Sequence, residues 1–152
     1  MIRIREILLP GQILLEVKAE TREEAVTAVT DSLRGDNRII NWPLFAESLA
    51  ECERSGKVNT GLGLTIPHGR TDSVASMVMA FGRLVQPIRR GRASIQFVLV
   101  IGIPETMDAD YLRLVGVLMR AFRDEPLRKA LETAKTPEDV LSTFEKGETQ
   151  LA

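Results

Sequence analysis

The sequence predicts an α/β fold: a single domain built around a layered β-sheet. Three observations predict it. Helical periodicity marks the first and last parts of the chain, and extended apolar segments fill the middle. Ile95 to Ile101 reads Ile-Gln-Phe-Val-Leu-Val-Ile, apolar on both faces, as a central strand covered on each side must be. No linker or internal repeat divides the 152 residues, and 44% hydrophobic content supplies one core without disulfides or a metal staple.

Taken in order, Ile13 to Val17 reads as a short strand after the Pro10-Gly11 turn. Thr21-Arg22-Glu23-Glu24 is a capping box that opens a helix carrying Ala25, Val26, Val29 and Leu33, and Gly35 stops it. A second helix is expected from near Asn41, with Pro43 tolerated in its first turn. Leu44, Phe45 and Leu49 are expected to face inward, with Cys52 a small hydrophobe facing the core. Thr60-Gly61-Leu62-Gly63 is turn-rich, and Leu64-Thr65-Ile66 is a short extended stretch against Pro67. Ala75 to Phe81 is a strand with Met77 and Met79 packing on one face, and Gln86 to Arg92 reads as a polar connection to Ile95. Asp108 or Asp110 is expected to cap a helix with Leu112, Val115, Leu118, Met119 and Phe122 inward. Asp124-Glu125-Pro126 and Thr136-Pro137-Glu138-Asp139 start two more helices. These bury Leu127, Ala130 and Leu131, then Val140, Leu141 and Phe144. The domain is expected to span residues 1–148, with 149–152 a frayed tail.

Composition excludes several classes of function. Twenty Lys and Arg against 21 Asp and Glu leave a net charge of -1, which argues against a dedicated nucleic-acid binder. One Cys and one His cannot build a zinc site or an internal disulfide, and mechanisms needing two histidines in one chain are ruled out. The longest apolar run, Phe97 to Ile101, is far short of the roughly 20 residues of a spanning helix, and the N-terminus alternates charge with apolar residues. No membrane insertion is expected, and the cytoplasm is the expected compartment. Ser55-Gly56-Lys57 lacks the upstream glycine and following hydroxyl of a phosphate-binding P-loop.

The sole histidine, His68, sits in Gly61-Leu62-Gly63-Leu64-Thr65-Ile66-Pro67-His68-Gly69-Arg70. An extended segment followed by Pro and Gly can hold an imidazole at a strand end, and flanking glycines let an anion approach main-chain N–H groups. A neutral imidazole is abundant near pH 7 and attacks phosphorus without a separate base. The phosphoryl group then needs donors, for which guanidinium is well suited, and Arg54 and Arg70 lie nearby in sequence. The plainer alternative is a partly buried histidine bonded to a carbonyl.

This stretch resembles the active-site signature of the fructose/mannitol-type IIA domains of the bacterial phosphotransferase system, a family that includes the nitrogen-regulatory IIA proteins. Their usual signature reads Arg-Glu, a short gap, then Ser-Thr-Gly-Ile-Gly-Asn-Gly-Ile-Ala-Ile-Pro-His-Gly. Glu20 to Arg34 resembles the family's first helix, Ile95 to Pro104 its apolar strand ending in proline, and Tyr111 to Leu131 its C-terminal helical run. The resemblance implies a mixed sheet with helices on both faces. It also implies that His68 takes a phosphoryl group from an HPr-like phosphocarrier, without metal or organic cofactor. The group then passes to a IIB domain, or its presence controls a regulatory target protein. A homodimer is left open.

Three departures accompany the resemblance. The segment before His68 is two residues shorter than usual. Aligning Thr60-Gly61-Leu62-Gly63 with the signature puts Arg54 on the family's arginine, whereas an ungapped alignment puts Cys52 there. The first alignment makes Arg54, Thr60 and the N–H groups around Gly69 the expected phosphate binders, with Arg70 and Tyr111 close by. Tyr111 falls where many members carry a second histidine. Arg83, Arg89, Arg90 and Arg92 stand where the family shows an Asp-Gly turn, as a solvated hairpin or a cationic docking surface. Two further readings compete: a binding module that keeps the fold without handling phosphate, and, ranked last, a hydrolase using His68 as base.

Overall fold

The computed structural model describes residues 3–55 and 61–151. The elements are α1 (Ile4–Ile7), β1 (Leu8–Val17), α2 (Arg22–Asp31), α3 (Trp42–Ser55), β2 (Leu64–Thr65), β3 (His68–Arg70), β4 (Val78–Arg90), β5 (Ala93–Ile103), α4 (Asp108–Arg123), α5 (Glu125–Thr133) and α6 (Pro137–Leu151). Local chemistry starts the helices where the sequence places caps. Thr21 Oγ1 accepts from the Glu24 N–H at 3.1 Å, Asn41 Oδ1 from Leu44, and Asp124 Oδ2 from Leu127. At α6, Thr136 Oγ1 and the Asp139 carboxylate each accept from the other residue's N–H, a reciprocal box.

The sheet order is β1-β4-β5-β2, with β3 also on β5. β4 and β5 are antiparallel, while β1 runs parallel to β4, and β2 and β3 run parallel to β5. The sheet is therefore mixed, and β5 lies between β4 and the lane formed by β2 and β3. Phe97, Leu99 and Ile101 of β5 pack with α4, α5 and α6 on one face. Val98 and Val100 pack with α2 and α3 on the other. Both-face apolarity in Ile95 to Ile101 has this arrangement as its cause.

Several expectations are corrected. Gln86 to Arg92 is not a loop: β4 continues to Arg90, and Gly91, at φ +64°, makes the tight reversal before β5. Pro87 is tolerated because the β4–β5 register shifts between Arg83 and Ile88, removing the need for its missing N–H. On α4 the inward face is Leu114, Val117, Leu118, Ala121 and Phe122, while Leu112 is 69% exposed. Two apolar stripes fit that helix, and only packing chooses between them. Leu44, expected inside, is likewise exposed. Neither Asp108 nor Asp110 caps α4, whose N-cap is Met107. α6 runs to Leu151.

Candidate functional site

His68 opens β3 at the outer lane of the sheet, where the α2–α3 layer and the α4–α6 layer both reach the edge. Its ring Nδ1 lies 2.8 Å from the Ile66 carbonyl oxygen. A carbonyl only accepts, so Nδ1 carries the proton, and the neutral ring has its lone pair on Nε2. The side chain is partly buried, and the Tyr111 ring of α4 lies beside it with centroids 5.4 Å apart. On the α3 side, Cys52 Sγ sits 3.6 Å from Nδ1.

Ladder bonds from Ile101 N–H to Pro67 and from Thr71 N–H to Ile103 put residues 67, 69 and 71 on the β5 side of β3. The Gly69 N–H is thereby turned into the sheet, away from any phosphate at His68. Gly69 is needed for another reason: a Cβ there would fall 2.2 Å from Ser48 Oγ, so its absence lets α3 rest on β3. The same alternation turns the His68 main-chain N–H outward to the Cys52 sulfur. Burial pushes the Cys52 thiol up, and that N–H offsets it only in part. Burial likewise pushes the Tyr111 hydroxyl up to about 12, so it stays protonated and cannot take a proton near neutrality.

The expected phosphate binders are separated. Arg54 lies two residues beyond Cys52, about 200° around α3. It lines a groove of about 650 Å³ between α2 and α3 and pairs with the exposed Glu47 at 3.0 Å. The structure does not bring it to His68. Cys52, sixteen positions before His68, stands there instead, in agreement with the ungapped alignment. Thr60 lies outside the described residues. Arg70 shares the outer face of β3 with His68 by strand alternation, and it is held by Asp108 at 2.7 Å and the Glu105 carbonyl at 3.2 Å. The helical pattern of α3 points Cys52 to the core; the ungapped register is the sequence signal that points it to His68. Of the four arginines expected together, Arg83 is drawn off to the carbonyls of Leu131 and Ala134.

Among the described residues no group of three His, Cys, Asp or Glu could hold a metal, and no helix is long and apolar enough to cross a membrane. The described site is thus one imidazole, its Nδ1 fixed on a main-chain carbonyl, at the edge of a mixed α/β sheet.

Comparison with known proteins gives that fold its family. Residues 6–147 match the family described as phosphoenolpyruvate-dependent sugar phosphotransferase system, EIIA 2. The chain belongs to that family. It is 29% identical over 142 residues to the 2-O-alpha-mannosyl-D-glycerate-specific EIIABC component of Escherichia coli, covering 90% of this chain and 22% of that protein's length. It is 26% identical to a nitrogen regulatory protein of Bradyrhizobium diazoefficiens, covering 93% and 94%. The crystal structure of IIA-Ntr from Neisseria meningitidis superposes with a TM-score of 0.83 at 23% identity, covering 93% and 98%. Mannitol IIA of E. coli, in its complex with phosphorylated IIB, gives 0.77 at 18%, covering 92% and 99%. At those identities the structural likeness is one of fold, and it agrees with the sheet described above.

Proposed function

We propose that this protein is a phosphocarrier or regulatory IIA protein that accepts a phosphoryl group on His68 from an HPr-like carrier in the cytoplasm. The observation that carries this reading is the 2.8 Å contact of Nδ1 with the Ile66 carbonyl, which assigns the lone pair to Nε2. The Nε2 lone pair attacks phosphorus as the donor's P–N bond breaks, and the donor imidazole leaves with that electron pair. His68 then holds a P–N bond and a ring charge shared by both nitrogens, which the Ile66 carbonyl stabilises through Nδ1–H. Arg70, swung from Asp108, is the guanidinium that β3 offers on the same face to the phosphoryl oxygens. The group then passes to a IIB component, or its presence sets the affinity for a regulatory target.

A second reading, a IIA-fold binding module that does not handle phosphate, is favoured by one observation: Cys52, rather than a cation, touches His68. Incubation with phosphoenolpyruvate, the general phosphotransferase enzyme and an HPr-like carrier separates the two, with intact mass read at neutral pH. A one-phosphoryl gain that vanishes in His68→Ala and slows in Arg70→Met supports the carrier. No gain with a donor that labels a known IIA protein supports the module.

A further inference from the structure

The buried guanidinium of Arg22 is used by neither reading. Its side chain is 4% exposed, and it joins three elements. From α2 it donates through Nη1 and Nη2 to both carboxylate oxygens of Glu53 on α3, the Nη2 bond being 2.8 Å. Through Nε at 3.2 Å and Nη2 at 2.7 Å it also donates to Thr65 Oγ1 on β2. Each partner is the chain neighbour of a group that touches the His68 ring. Glu53 follows Cys52, whose sulfur is 3.6 Å from Nδ1. Thr65 precedes Ile66, whose carbonyl holds Nδ1. A planar, forked cation spans both at fixed separation, which a flexible ammonium cannot do with one nitrogen.

We infer that Arg22 is a positioning residue for His68, setting the ring's tautomer and direction by clamping Glu53 of α3 to Thr65 of β2. The inference rests on the reading of His68 as phosphoryl acceptor for its purpose, though not for its geometry. The clamp acts at once on both groups that touch Nδ1. A shift of α3 alone would move Cys52, and a shift of β2 alone would move the Ile66 carbonyl; Arg22 couples the two.

The chain has one histidine, so its ring nitrogens can be read without assignment by long-range ¹⁵N–¹H correlation at about pH 8.5. The test variant is Arg22→Met combined with Glu53→Gln, which avoids leaving a buried carboxylate unpaired. Wild type is expected to show a protonated Nδ1 and a lone-pair Nε2. The double variant is expected to move both shifts toward a tautomer average and to slow phosphoryl uptake about tenfold, with half-saturation by the carrier unchanged. Arg22→Lys, which keeps the charge but not the fork, should recover only part of both. Arg38→Met, which cuts a network away from the site, should lose stability and leave the nitrogen shifts alone. Wild-type shifts in the folded double variant would overturn the inference, as would equal movement in Arg38→Met. Failure of wild type to take up phosphate would instead strike the functional reading, since the nitrogen shifts report the clamp without any donor.

Discussion

At the scale of single residues, the site depends on atoms that are absent as much as on those present. Gly69 has no Cβ, and Ser48 Oγ, bonded to the Phe45 carbonyl at 2.7 Å, occupies the space one would need. Ser48 Cβ is 3.1 Å from the same point, so rotating the hydroxyl does not clear it. Gly69→Ala is therefore expected to cost about 1–3 kcal/mol in urea unfolding, as overpacked contacts do. Adding Ser48→Ala should recover most of that loss, because only the weaker Cβ contact remains. If Gly69→Ala unfolds at the same urea concentration as wild type, α3 does not rest on β3 as described. His68 itself was legible from sequence because Pro67 and Gly69 bracket it. Its contact with Cys52 was not, because whether a cysteine faces the core or a strand edge depends on where the neighbouring helix lies.

At the scale of elements, one sequence feature divides into two roles. Arg83, Arg89, Arg90 and Arg92 look like one cationic cluster along the chain, yet strand geometry separates them. Arg83 reaches the end of α5 and donates from Nη1 to the carbonyls of Leu131, at 3.0 Å, and Ala134, at 2.7 Å. These are carbonyls a helix end leaves without partners, and a cation there also meets the negative end of the helix dipole. Arg89 remains exposed on the hairpin. Arg83→Met is expected to lower stability by about 1.5–3 kcal/mol, the range for hydrogen bonds to a charged group. Arg89→Met should change it by no more than about 0.5 kcal/mol. Equal effects in thermal or urea melts would show that Arg83 does not cap α5. The caps at Thr21, Asp124 and Thr136 were readable because capping is local; the α5 cap comes from 48 residues away and was not.

At the scale of the whole molecule, a polar network ties the N-terminal segment to the body. Asp36 accepts from Arg38 Nη2 at 2.7 Å and from Gln12 Nε2 at 2.6 Å, while Arg38 Nη1 donates to the carbonyls of Ile7 and Met77. Arg38 holds the Asp36 carboxyl at about 2, below its ordinary 3.8, against the opposing effect of burial. The unfolded chain thus binds this proton more tightly. The stabilisation is complete above about pH 5 and is lost as pH falls through 2, for a total of about 2 kcal/mol. Asp36→Asn should be less stable than wild type by about that amount at pH 7, with the gap closing as pH approaches 2; a gap independent of pH would remove the carboxylate from this role. By itself the sequence determined the fold class, most helix starts, the central strand and the place of the one histidine, because periodicity, caps and turn chemistry act over a few residues. Only tertiary structure decided that Arg54 leaves the site and Cys52 enters it, that Arg83 caps a distant helix, and that Arg22 clamps α3 to β2. Those outcomes depend on how helices rotate against the sheet, which is settled by packing between segments far apart in the chain.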